Sequence, residues 1–104
     1  MIQTLSPIEA RSLISGGGLD VVDVRDPGEW SSGHIPQARL VPLSELKTKR
    51  EASLPHDGIL FVCAKGVRSL TAAKLAETFG LTKLYNVAGG VNGWVSAGLP
   101  LVQD

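Results

Sequence analysis

The chain carries one cysteine, Cys63, in 104 residues, so it can close no internal disulfide and offers no cysteine cluster for zinc or an iron–sulfur centre. Aromatic residues are scarce: Trp30, Phe61, Phe79, Tyr85 and Trp94 are scattered along the chain, too thinly for a platform on which nucleic-acid bases stack. Charge of either sign is not in excess, with ten Lys and Arg against ten Asp and Glu and no basic block. An electrostatic nucleic-acid binder is therefore excluded. Long apolar runs are also missing. The longest spans Ile59 to Ala64, far short of a membrane-spanning helix. The N-terminus, Met1 to Pro7, has neither a basic region nor an apolar stretch, so it does not read as a secretory signal. With a single free thiol, that favours the cytoplasm.

What remains is enough for a fold. The apolar fraction is 43%, sufficient for a core, and the length suits one domain over residues 1–104. Short apolar strands alternate with helical stretches, the pattern of an α/β protein with a parallel sheet. Ser6-Pro7-Ile8-Glu9 is a helix start with cap, first-turn proline and capping box, and Ala10, Leu13 and Ile14 give an apolar face that ends at Gly16-Gly17-Gly18. Strands are expected at Leu19–Val24, Arg39–Val41, Ile59–Val62 and Leu84–Val87. Ile59–Val62 is apolar at every position, as a strand buried on both faces requires. Helical segments are expected at Pro27–Ser32, Ser44–Arg50 and Ser69–Phe79, the last with Leu70, Ala73, Leu75, Ala76 and Phe79 inward, and around Trp94 after Gly89-Gly90. Leu54 to Gly58 reads as a turn-rich connection.

Cys63 ends the most buried of these strands, at the edge where parallel sheets hold their functional crevice. The residues that follow, Ala64-Lys65-Gly66-Val67-Arg68, include a glycine for tight curvature, two cations and no acid. A short loop entering a helix can turn several N–H groups inward, and those dipoles with Lys65 and Arg68 favour thiolate over thiol. An unperturbed thiol, with pKa of ~8.5, is mostly protonated near neutrality. A cysteine ending an apolar strand is ordinarily core packing; the glycine, the cations and the following helix turn the reading toward a nucleophile.

Cys63-Ala64-Lys65-Gly66-Val67-Arg68-Ser69 resembles the active-site loop of rhodanese-type sulfurtransferases. Asp23-Val24-Arg25, Glu29-Trp30 and Gly33-His34-Ile35-Pro36 are similar to that family's upstream signature, and Gly89-Gly90, Trp94, Gly98 and Pro100 to its C-terminal pattern. The ordered set covers nearly the whole chain. The resemblance implies a three-layer domain with a parallel sheet of about five strands flanked by helices. It implies transfer of a sulfane sulfur from thiosulfate or a similar donor, through a Cys63 persulfide, to a thiol or cyanide, without metal or organic cofactor. Ala64, Lys65, Gly66, Val67 and Arg68 would bind the substrate, and a thioredoxin-like or other sulfur-accepting protein is a possible partner; neither nucleic acid nor membrane is. Two positions depart from the common pattern. Ala64 stands where a basic residue is frequent, with Lys65 offering that charge one residue later, and Gln37 replaces a frequent glycine.

The remaining polar residues read as structural. Asp23, Arg25 and Glu29 are expected to orient a loop by mutual hydrogen bonding, His34 to bond to backbone, and His56 to be solvated. Trp30 and Trp94 are packing residues, and Lys47, Lys49, Arg50 and Glu51 a solvated face. One cysteine and two histidines lack zinc-ligand spacing. Cysteine phosphatases and arsenate reductases are the rival enzymes; their loops hold one residue more between cysteine and arginine than the four found here. A module that only carries persulfide to a protein partner is the rival without turnover.

Overall fold

Ile59, Leu60, Phe61 and Val62 are fully buried, and the rest of the fold is arranged around the strand they form. A computed structural model describes residues 2–49, 54 and 56–103. In chain order the elements are β1 (Ile2–Leu5), α1 (Pro7–Ser15), β2 (Asp20–Asp23), α2 (Pro27–Ser31), β3 (Ala38–Leu40), α3 (Leu43–Lys49), β4 (Ile59–Val62), α4 (Val67–Thr78), β5 (Leu84–Val87) and α5 (Gly90–Ser96). The five strands form one sheet in the order β1-β5-β4-β2-β3, every pair parallel.

Successive residues of a strand point to opposite faces, and here each face has its own core. Ile59 and Phe61 of β4 meet Leu46 of α3 and Ala72, Ala73 and Ala76 of α4. Leu60 and Val62 meet Ala10 of α1 and Val91 and Trp94 of α5. This is a three-layer arrangement, and the alternation places Cys63, the next residue on the Phe61 side, in the α3–α4 layer. The N–H of the Trp94 indole donates to the carbonyl of Pro100 at 2.9 Å, satisfying the only polar group of a buried ring.

The capping box read at Ser6 and Glu9 is formed in both directions, at 3.1 and 2.9 Å. Three features differ from the sequence reading. β1 is unanticipated, because Ile2-Gln3-Thr4-Leu5 lacks alternation; it is a half-buried edge strand whose register is set by β5. Leu13 lies exposed, since α1 turns only Ala10 fully inward. α4 begins at Val67 rather than Ser69, and its closest contacts to the sheet are Ala72, Ala73 and Ala76, with Leu70, Leu75 and Phe79 only partly buried. Small residues let the helix approach closely while the larger ones pack at its flanks. Arg50, Glu51 and Pro55, which enter the expected third helix, charged face and turn, lie outside the described residues.

Asp57 ties the approach to β4 to the approach to β5. Its carboxylate accepts from the N–H groups of Gly58 (2.9 Å), Thr82 (3.1 Å) and Lys83 (2.9 Å) and from the Thr82 hydroxyl (3.0 Å). The N–H of Thr82, then those of Lys83 and Gly58, lower its pKa from 3.8 to about 2, against a smaller opposing effect of burial. A carboxyl group whose pKa is depressed on folding stabilises the fold above its unfolded pKa and loses that contribution as pH falls through the folded one. Asp57→Asn is therefore expected to lower Tm at pH 7, with the gap to wild type closing between 3.8 and about 2. Thermal melts across that range check it; an equal gap at both ends would contradict the clamp.

Candidate active site

β2 and β4 are neighbours, but the chain leaves β2 toward β3 on one side and β4 toward β5 on the other. Connections that depart in opposite directions leave a crevice at the carboxyl ends of the two strands. Cys63 follows β4 into this crevice, and α2 follows β2 along its rim.

The loop from Cys63 to Gly66 is held from behind by α5. The N–H of Val91 donates to the carbonyl of Cys63 at 2.8 Å, and that of Asn92 to the carbonyl of Ala64 at 3.1 Å. In a trans peptide the N–H points opposite to the carbonyl, so fixing the Ala64 carbonyl outward turns the Lys65 N–H back toward the sulfur. Gly90 makes this approach possible. It sits at φ +59°, and a Cβ there would collide with the backbone oxygen of Cys63. Gly66, at φ +99°, then turns the chain directly into α4.

Several donors converge on the sulfur. The Gly66 N–H reaches Cys63 Sγ at 3.1 Å, and the Ser69 hydroxyl lies 3.3 Å from it. Burial of the sulfur is the largest single influence and raises the thiol pKa, but it is outweighed. The Ser69 hydroxyl and the backbone N–H groups of Ser69, Gly66 and Lys65 together hold it below its ordinary value. Ser69 is itself braced by Asn86 of β5: its hydroxyl donates to Asn86 Oδ1 at 2.5 Å, and all three residues are buried. The hydroxyl has one proton. It can donate to Asn86 while the Cys63 S–H donates to it, or to the thiolate once that proton has gone.

Above the sulfur opens a cleft of about 270 Å³ lined by Glu29, Cys63, Ala64, Lys65, Val67 and Arg68. Arg68 is tied to the rim by an ion pair. Its two terminal nitrogens donate to both Glu29 oxygens at 2.8 and 2.9 Å. That pairing, against a smaller effect of burial, lowers the Glu29 pKa from 4.5 to about 2 and raises that of Arg68. Glu29 also accepts from the Asp26 N–H at 3.1 Å, which fixes it in the first turn of α2. Lys65 is exposed and has no ion-pair partner among the described residues, and Val67 leaves 72% of its surface in solvent.

The segment beneath α2 is fixed by a buried pair. Arg25 donates through Nε and Nη2 to Asp23 at 3.0 and 2.9 Å, and through Nη2 to the Gly33 carbonyl at 2.8 Å. His34 pairs its backbone with Val102, and its ring stacks on Trp30 at 3.5 Å with 4° between the planes.

Residues 6–97 match the rhodanese-like domain family. The chain belongs to that family. Among curated relatives of this rhodanese-like chain, the human thiosulfate:glutathione sulfurtransferase is 32% identical over 106 residues, covering 88% of the chain and 92% of that protein. The Bacillus subtilis protein YqhL is 38% identical over 74 residues, 71% of this chain; the match spans 59% of that relative's length. A rhodanese-related protein from Thermoplasma volcanium superposes with a TM-score of 0.85 at 29% identity, covering 98% of this chain and 99% of that one.

The rhodanese-like fold thus brings together all six residues singled out in the loop. Val67 and Arg68 belong to the helix rather than the loop, and the influences that lower the thiol pKa are hydrogen bonds from Ser69, Gly66 and Lys65. Glu29, read as structural, stands in the cleft wall. Ser69, Asn86 and Gly90 are further residues that the geometry adds. Ser69 and Gly90 fall within the quoted motifs, where their neighbours carry more obvious chemistry, whereas Asn86 sits among strand residues and gives no local signal.

The lowered thiol pKa predicts that the rate of Cys63 alkylation rises with pH through a midpoint below that of a free thiol. Ser69→Ala removes the hydroxyl that lowers the thiol pKa most and is expected to move the midpoint upward. Iodoacetamide kinetics across pH measure both; an unmoved midpoint in a folded variant would contradict the role of the Ser69 hydroxyl.

Proposed function

We propose that the chain transfers sulfane sulfur by a two-step mechanism centred on Cys63, with thiosulfate as a donor. The observation that carries this reading is a thiol whose ionisation is favoured by converging donors at the floor of an open cleft. Two curated relatives named thiosulfate:glutathione sulfurtransferase, the human protein and one from Saccharomyces cerevisiae at 33% identity, support the choice of donor and of a thiol acceptor.

In the first step the Cys63 thiolate attacks the outer sulfur of thiosulfate. A sulfur–sulfur bond forms to Cys63, and the pair of electrons in the broken bond leaves with sulfite. The product is a persulfide anion on Cys63. The N–H groups of Lys65, Gly66 and Ser69, which already act on Sγ, would stabilise that anion, as the N–H groups of an oxyanion hole stabilise oxygen. In the second step an acceptor thiolate or cyanide attacks the terminal sulfur, carries it away, and returns the Cys63 thiolate. Charge balances in each step, and neither needs a redox partner. A small thiol or a thioredoxin-like protein is the acceptor we favour, and the cytoplasm, with its pool of reduced thiols, is the compartment that suits such an acceptor.

Intact mass spectrometry after incubation with thiosulfate tests this. The expected result is one added sulfur atom, removed by cyanide and absent from Cys63→Ser, whose thiosulfate–cyanide turnover falls to background. No gain in mass, or a gain retained by Cys63→Ser, would overturn the mechanism. Cys63-dependent hydrolysis of an aryl phosphate in place of sulfur loading would favour the phosphatase reading.

A further inference from the structure

The mouth of the cleft is not the cationic funnel that its sequence suggests. Two cations, Lys65 and Arg68, stand there, but so do two anions once Cys63 is ionised, the thiolate and Glu29. Each terminal nitrogen of Arg68 donates one N–H to a Glu29 oxygen, so the two charges are paired. Glu29 in turn is held by the Asp26 N–H, so the pair is anchored from the α2 side as well as from α4. With its pKa lowered to about 2, chiefly by Arg68, Glu29 is ionised throughout the range in which a thiolate could act. A dianionic donor therefore enters a mouth whose side chains offer it no excess of positive charge, Asp26 adding a further carboxylate that acts on Arg68, and it adds its own charge to that of the nucleophile it must meet.

We propose that Glu29 is a specificity-determining residue. By engaging Arg68 and neutralising the mouth, it lowers the enzyme's preference for dianionic sulfur donors relative to donors of lower charge, such as organic thiosulfonates and persulfides. This rests on the persulfide reading above. A thiosulfonate serves as the comparison because its chemistry is the same: the Cys63 thiolate takes the outer sulfur, and a sulfinate leaves with the bonding electrons in place of sulfite. The two donors differ by one unit of charge.

Glu29→Gln keeps the side-chain length and an oxygen able to accept from the Asp26 N–H, while removing the charge. Expected is a rise of about three- to tenfold in the ratio of kcat/KM for thiosulfate to that for methanethiosulfonate at low salt, the effect of one charge on one added donor charge at cleft distances, shrinking as salt is raised. The gain should lie in KM rather than kcat. A ratio that is unchanged or lower would overturn the proposal and make Glu29 only a brace for Arg68. Wild-type protein gives a second reading without mutation. A neutral mouth predicts that kcat/KM for thiosulfate varies little with ionic strength between about 0.01 and about 0.3 M, whereas a steep fall would reveal an uncompensated cationic mouth and overturn the proposal. Mass spectrometry separates this from the reading beneath it: if neither donor loads sulfur onto wild-type Cys63, the mechanism itself fails.

Discussion

Two backbone hydrogen bonds, from Val91 and Asn92 to the carbonyls of Cys63 and Ala64, are the constraint on which the site depends. They pull the carbonyls out of the loop after β4 and so leave its N–H groups to face the sulfur. Everything nearby serves that contact. β5 delivers α5 to the right place by pairing with β4, the left-handed turn at Gly89 and Gly90 brings the helix against the loop, and Gly90 leaves the space that a side chain would fill. Asp57 acts at the opposite end of the same two strands by aligning the turns that enter them.

Hydrogen bonds rather than side-chain charges offset the burial of Cys63 and lower its pKa. A hydrogen bond to a charged group contributes about 1.5–3 kcal/mol, and several converge on the sulfur. A half-exposed ion pair such as Glu29–Arg68 contributes roughly 0–1 kcal/mol to stability. The pair matters less for holding the fold than for what it does to the field at the mouth. The ionisation of the thiol and the charge of the mouth thereby have different sources: the Ser69 hydroxyl and buried N–H groups lower the thiol pKa, while Lys65, Arg68 and Glu29 stand at the rim.

The fold was legible wherever a local pattern decides the structure. Ile59–Val62 and Leu84–Val87 could be placed from apolar runs between turn residues, and the start of α1 from Ser6, Pro7 and Glu9, because strand burial and helix capping act over a few residues. β1 was not legible, since half-buried edge pairing gives Ile2–Leu5 its structure and its own alternation does not. The start of α4 was missed because Gly66 enters the helix through a left-handed turn and no side chain caps it. In the site, Cys63 and its loop stood out from residue type and spacing, but the direction of the cations did not. The Glu29–Arg68 bridge spans 39 positions, and only the meeting of α2 with α4 at the crevice creates it. Asn86 was invisible for the same reason: its meaning comes from Ser69, on another element.

The most direct test of this constraint is the ionisation of Cys63 in Gly90→Ala, followed through the thiolate absorbance as pH is raised, beside wild type. A Cβ at position 90 forces α5 away from the loop, releases the two carbonyls and lets the N–H groups turn from the sulfur. The account predicts a folded variant whose thiol titrates at or above the value of a free cysteine, with the wild-type midpoint below it. A folded Gly90→Ala protein that keeps the wild-type midpoint would contradict it.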